Sequence, residues 1–110
     1  MATSYKVLGQ AALTAETETD VYTVPADTEA VISTIVVCNR DSAANTFRLA
    51  VRPDGATLAN EHYISYDVPV EGTDATTLTI GITLDAGDII TAYGGVSSLI
   101  TVNVFGSEIS

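Results

Sequence analysis

Residues 29–39 read Glu29-Ala30-Val31-Ile32-Ser33-Thr34-Ile35-Val36-Val37-Cys38-Asn39, and the fold turns on this stretch. Its side chains are mostly branched at the β-carbon, a shape that fits a pleated strand better than a helix. Successive residues of a strand point to opposite faces. Val31, Ser33, Ile35 and Val37 therefore share one face, and Ile32, Thr34, Val36 and Cys38 the other. Both faces are largely apolar, so the strand belongs in the middle of a sheet with cover on each side. A neighbouring subunit is the candidate for the second cover.

Working outward, alternation at period two recurs along the chain, whereas helical periodicity does not. Residues 46–52 set Phe47, Leu49 and Val51 against Thr46, Arg48, Ala50 and Arg52. Residues 77–84 set Leu78, Ile80, Ile82 and Leu84 against Thr77, Thr79, Gly81 and Thr83, and residues 100–104 set Ile100, Val102 and Val104 against Thr101 and Asn103. Residues 5–10, 21–24, 62–68 and 88–93 read as further strands. Between them lie Pro25-Ala26-Asp27, Asn39-Arg40-Asp41-Ser42, Pro53-Asp54-Gly55, Glu71-Gly72-Thr73-Asp74, Asp85-Ala86-Gly87-Asp88 and Gly94-Gly95. Gly supplies positive φ, Pro fixes φ, and Asp or Asn bonds its own backbone, so each cluster is a turn with a mechanism. Residues 55–60 are expected to make a single helical turn. About eight short strands separated by turns predict one all-β domain over residues 1–110, an antiparallel β-sandwich of jelly-roll type.

A chain of 110 residues has room for one core and hides only about two-thirds of its unfolded surface, so association with further copies would add stability. Hydrophobic residues make up 46% and charged residues 16%, which leaves Thr, Ser, Asn and Gly to supply most of the polar surface. Four basic residues against fourteen acidic ones give a net charge of -10. That balance repels phosphate backbones and anionic lipid, and neither nucleic acid nor membrane is expected as a partner. Residues 30–38 form the longest apolar run, interrupted by Ser33 and Thr34 and too short to span a bilayer. Met1-Ala2-Thr3-Ser4-Tyr5-Lys6 has no charged start leading into an apolar stretch, so no secretory signal is read there.

Nucleophilic catalysis needs a Ser, Cys or Thr beside a base that a third group orients. His62 is the only histidine and Cys38 the only cysteine. Cys38 shares its expected face with Ile32 and Val36, where a thiol acts as a small core hydrophobe, and His62 starts a strand as a surface or interface residue. No catalytic residue, cofactor or enzyme activity is expected. Glu16, Glu18 and Asp20 would project together from an extended segment, a set that suits a hard cation such as calcium. A solvated acidic edge is the simpler reading of the same three residues. Tyr63, Tyr66 and Tyr93 raise a sugar-stacking platform, but Tyr63 and Tyr66 are three apart and would point to opposite faces of a regular strand.

Arg40, Arg48 and Arg52 gather three of the four basic residues in one stretch, with Arg48 and Arg52 on one outward strand face. Guanidinium forks pair with carboxylates in two-point geometry. An acidic partner or a second copy is the expected recipient. Together with Val31, Ile35 and Val37, these arginines form the expected interface.

Tyr5-Lys6-Val7-Leu8-Gly9-Gln10, Val21-Tyr22-Thr23-Val24-Pro25, Val37-Cys38-Asn39-Arg40, Phe47-Arg48-Leu49-Ala50-Val51-Arg52-Pro53 and Phe105-Gly106-Ser107-Glu108-Ile109 together resemble a small virion protein of tailed bacteriophages, particularly those of cyanobacteria. The resemblance covers nearly the whole chain, and its motifs are strand and turn residues. It implies a non-enzymatic capsid decoration or cement protein on the outer capsid surface, made in the host cytoplasm. Its implied partners are further copies of itself, as a homotrimer, and the major capsid protein. A tail, neck or fibre component is the alternative, and a carbohydrate-binding module is a more distant one.

Overall fold

The computed structural model describes residues 2–96 and 98–110. Among them are nine strands: β1 (Thr3–Ala12), β2 (Thr19–Thr23), β3 (Glu29–Asn39), β4 (Asn45–Arg52), β5 (Tyr63–Val70), β6 (Asp74–Leu78), β7 (Ile82–Leu84), β8 (Ile89–Gly94) and β9 (Ile100–Ile109). Seven of the eight segments read as strands from sequence each fall on a single strand, and the bounds of β3 match. The ninth strand arises because residues 77–84 are not continuous. The chain leaves the ladder at Thr79-Ile80-Gly81, where glycine weakens a strand, and both β6 and β7 pair with β3. Ile80 is exposed as a result and does not join Leu78, Ile82 and Leu84 against the core. The expected helical turn over residues 55–60 is replaced by 3-10 turns on either side, Pro53–Gly55 and Asn60–His62.

All strand pairings are antiparallel and follow one plan. β1 pairs with β9, β2 with β8, β3 with β6 and β7, and β4 with β5. These are the rungs of one long two-stranded ribbon. Its further pairings of β3 with β9 and β4 with β8 roll it into a five-stranded sheet in the order β1-β9-β3-β6, with β7 also on β3, and a four-stranded sheet in the order β2-β8-β4-β5. This is a jelly roll. Leu13, Ile32, Ile35, Val37, Phe47, Leu49, Ile90, Ile100, Val102 and Val104 fill the space between the sheets and are fully buried.

β3 corrects the sequence reading at one residue. Its register against β9 shifts between Ile32 and Thr34, leaving Ser33 as the exposed extra residue of a bulge. A bulge of one residue reverses the phase of everything beyond it. Ala30 and Ile32 point inward before it; Ile35, Val37 and Asn39 point inward after it. Ile35 and Val37, expected at an interface, are 0% exposed within the chain's own core and cannot meet a neighbour. Cys38 moves the other way: it is half-buried on the outer face with Val36, on the opposite side from Ile32.

Two polar groups fasten the sandwich. Asn39 is fully buried at the end of β3, where its amide donates to the carbonyls of Ala43 (2.9 Å) and Val70 (3.1 Å) and its Oδ1 accepts from the backbone N–H of Asp41 (3.0 Å). It thereby pins the five-stranded sheet to the ends of β4 and β5. At the other end, the Tyr22 hydroxyl of β2 donates to Glu108 of β9 (2.6 Å), and Lys6 of β1 contacts the same carboxylate (2.7 Å). Burial, and then the hydrogen bond to Glu108, push the Tyr22 hydroxyl well above the usual phenol range. The hydrogen bond from Lys6, followed by that from Tyr22, holds the Glu108 carboxyl below the usual carboxylate range.

Candidate functional site

Strand register determines what each outer face presents. On the five-stranded sheet the outward rows run Tyr5–Ser107–Val31–Thr83, Val7–Phe105–Thr34, Gln10–Asn103–Val36–Thr77 and Ala12–Thr101–Cys38–Ala75. A further row, Thr3–Ile109–Glu29, closes this face at one edge with the exposed Glu29 carboxylate. In the four rows above no residue is ionisable apart from the Tyr5 phenol and the Cys38 thiol, although the chain carries eighteen charged side chains. Tyr5 is 85% exposed and Val7 47%. Tyr5 borders a shallow hollow of about 460 Å³ together with Lys6, Val31 and Phe105. Gln10 donates to Asn103 across the strands (2.6 Å), and Ser33 donates to the Phe105 carbonyl (3.2 Å). The face is apolar at the Tyr5 end and neutral and polar at the Cys38 end.

The outer face of the four-stranded sheet differs in kind. Arg48 and Arg52 do share it, as expected, but each is held by its own chain. Arg52 donates from Nε to the Thr91 hydroxyl (3.0 Å), from Nη1 to the Ala56 carbonyl (3.1 Å) and from Nη2 to Asp20 (2.8 Å), and Thr91 donates to the same Asp20 oxygen (3.1 Å). Arg48 forks onto Asp67, Nε to Oδ1 at 2.7 Å and Nη2 to Oδ2 at 3.3 Å. That hydrogen-bonded pair raises the guanidinium pKa further above its ordinary value. Arg40 is exposed at the turn after β3 and donates to the Ser98 carbonyl. The three arginines thus form no shared cluster with Val31: Arg48 and Arg52 lie on the opposite sheet, and Arg40 follows the far end of β3.

The tyrosines are brought together where the sequence reading separated them. β5 is bulged twice against β4: Val68 faces Phe47, Ser65 faces Leu49 and Tyr63 faces Ala50. Tyr66 and Asp67, the latter at φ 51, therefore both stand opposite the single residue Arg48. Two extra residues restore the phase, and Tyr63 and Tyr66 reach one face with ring centroids 4.9 Å apart and planes at 88°. The Arg48 guanidinium lies over the Tyr66 ring at 4.1 Å and over the Tyr93 ring at 4.5 Å, within the range of cation–π attraction. Bulges are invisible to a period-two count, and the only sequence signal for this one is Asp67-Val68-Pro69 interrupting the alternation.

The corner between Tyr63 and Tyr66 opens on a recess of about 300 Å³ walled also by Asn60. Asn60 and Tyr63 separate it from a cleft of about 490 Å³ whose far wall includes Glu18, Thr57 and Arg52. The acidic trio does not assemble: Glu16 sits in a turn at φ 53 and Asp20 is bound to Arg52 and Thr91. Among the described residues no group of three His, Cys, Asp or Glu side chains comes close enough to hold a metal ion. His62 Nδ1 accepts from the Ala59 backbone N–H (3.0 Å) and closes the turn before β5. No helix among the described residues is long and apolar enough to cross a membrane.

Comparisons with protein-family models, with curated proteins and with solved structures give no match to this chain.

Proposed function

We propose that this jelly roll is a structural virion protein, a decoration or cement module that self-associates as a trimer on the outer surface of a bacteriophage capsid and clamps the major capsid protein beneath it. The observation that carries this reading is the charge-free stretch of the five-stranded sheet's outer face, the rows from Tyr5 to Cys38, with the Glu29 carboxylate only at its edge. Removing a charge from water costs several kcal/mol unless it is paired, whereas apolar groups gain about 25 cal/mol per Å² of area removed from water. A flat face of hydroxyls, amides and apolar groups is therefore the cheapest part of this acidic molecule to cover. Four strands and the rows from Tyr5 to Ala12 make roughly 500 Å² of it, from ordinary strand spacing and rise. Two such surfaces meeting reach roughly the lower limit for a specific contact.

The sandwich suits the role mechanically. Each copy that binds across a joint between shell subunits adds its own burial to the free energy of separating them, and many weak copies act together. The resemblance in strand and turn residues to small proteins of phage particles supports the same reading.

The test is to sediment the purified chain and to add it to undecorated phage shells. A trimer, and saturable binding that raises the temperature at which the shells open, are the expected results. A monomer at all concentrations that leaves shell stability unchanged defeats the proposal. Attachment confined to the portal or tail end moves the reading to a tail or neck component.

A further inference from the structure

The geometry points to a second binding site on the opposite face: the corner formed by Tyr63 and Tyr66, with Asn60 beside it, is a site for a neutral pyranose of an oligosaccharide. The two rings stand perpendicular at 4.9 Å and bound a recess of about 300 Å³, at the lower end of the range for small-molecule sites. Tyr66 is 57% exposed, although its ring is braced by the Arg48 guanidinium, which Asp67 in turn holds. An aromatic ring that is both exposed and braced is presented to solvent rather than packed away.

Charge selects the ligand class. Aromatic corners near carboxylates ordinarily suit cations, but here the cation position over Tyr66 is already taken by the Arg48 guanidinium at 4.1 Å, and its charge repels a second cation. An anion is disfavoured by Glu18 in the adjoining cleft, by Asp67 and by the net charge of -10. What remains is an uncharged molecule with an apolar face and a polar rim. A pyranose ring has that form: its axial C–H groups are weakly positive and meet the negative face of a tyrosine, while its equatorial hydroxyls need donors and acceptors at the edge. The exposed amide of Asn60 supplies both at the recess, and Glu18 and Thr57 continue the polar wall into the cleft of about 490 Å³, where the next sugar of a chain would lie.

The site is independent of the assembly face, since it lies on the other sheet. A particle bearing it would present sugar-binding corners outward while the uncharged face is turned to the shell.

The experiment is a titration of the 15N-labelled full chain with cellotetraose and with N-acetylchitotetraose, and separately with choline, each up to about 20 mM, a concentration that detects millimolar affinity. Tyrosine fluorescence gives a second readout, because the chain has no tryptophan. The expected result is saturable shifts at Asn60, Tyr63 and Tyr66 with at least one oligosaccharide and none with choline. Tyr66→Ala should weaken that binding at least about tenfold, and Asn60→Ala by roughly threefold to tenfold, consistent with loss of one stacking or one hydrogen-bonding contact. Tyr66→Phe, which keeps the stacked ring, should stay within about twofold, and Glu71→Gln, in the turn after β5 and outside the recess, should leave sugar binding unchanged. The proposal is overturned if neither oligosaccharide gives saturable shifts, if choline binds more tightly than both, or if binding survives Tyr66→Ala in a protein whose circular dichroism is unchanged.

Discussion

The two outer faces of this sandwich have the same pleat, yet one keeps its charge to the Glu29 edge and the other is organised by charge. From the Tyr5 row to the Cys38 row the five-stranded sheet presents hydroxyls, amides and apolar groups. Across the molecule, Asp20, Arg52, Arg48 and Asp67 are threaded among Tyr63, Tyr66 and Tyr93. Exposed ion pairs add little to stability, a median of about 0–1 kcal/mol. The charges on the second face are therefore better understood as positioning devices that hold side chains in place. The first face has nothing to hold, and its lack of charge makes it easy to dehydrate.

The largest expected effect breaks the symmetry between the faces directly. Val7→Asp places a carboxylate in the middle of the apolar rows, whereas Thr46→Asp places one on the exposed outer face of β4. An uncompensated charge buried at an interface costs about 3–5 kcal/mol, so Val7→Asp should weaken shell binding or self-association by more than about a hundredfold. Thr46→Asp should leave it within about threefold. Sedimentation and shell-binding isotherms distinguish the two, and equal losses from both variants would mean that the faces are not functionally different.

Asn39→Leu comes next, because it cuts the tie that both faces depend on. The variant strands the Val70 carbonyl and the Asp41 N–H without their partner. Leaving buried backbone groups unpaired costs about 1–3 kcal/mol each, and an overall loss of about 3 kcal/mol in urea unfolding is expected. Asn39→Asp restores the acceptor to the Asp41 N–H but sets a fully buried carboxylate oxygen against the Ala43 and Val70 carbonyls, and at neutral pH should lose at least as much.

Much of this architecture was legible in the sequence, and what was not has one physical cause. The residue pattern located seven of the eight expected strands whole and the eighth as a broken pair, the turn clusters marked their ends, and the apolar character of residues 29–39 placed β3 inside its sheet. The errors are bulges and breaks. Ser33 reverses the phase of β3, so Ile35 and Val37 go inward and Cys38 outward. Thr79-Ile80-Gly81 splits one expected strand into β6 and β7. The double bulge in β5 unites Tyr63 and Tyr66, which a regular strand would have parted. A bulge depends on which residue of the partner strand accepts the extra one, and that is a property of two segments together. The arginine grouping was visible, but not its internal partners, because Asp20 and Asp67 lie far from them along the chain.

A smaller effect sharpens the idea that charge on the second face serves positioning. Arg48→Gln removes the guanidinium from between Tyr66 and Tyr93 and leaves Asp67 without its fork. Hydrogen exchange of the β5 amides should quicken by roughly threefold, in keeping with the modest worth of an exposed pair, while β9 on the other sheet is unaffected. Uniform acceleration in both sheets would assign Arg48 a global stabilising role instead.

The smallest effect lies at the seam between the sheets, where Glu108 of the five-stranded sheet meets Tyr22 of the four-stranded one. Lys6 and Tyr22 hold the Glu108 carboxyl below its ordinary value of 4.5 in the folded chain, so the unfolded chain takes up the proton first on acidification. The stabilisation is thus fully present above about pH 4.5 and is lost as pH falls through the folded-state value. Asp41, lowered by hydrogen bonds from Asn45 and from the Ser42 N–H, contributes with the same sign. Lys6 is half exposed and water screens its charge, so the share due to Glu108 is about 1 kcal/mol at most. Urea unfolding between about pH 3 and 6 should show stability falling on the acid side, and Glu108→Gln should flatten the slope because its amide does not titrate. An unchanged slope in that variant would locate the acid sensitivity at Asp41 and leave the seam held by apolar packing alone.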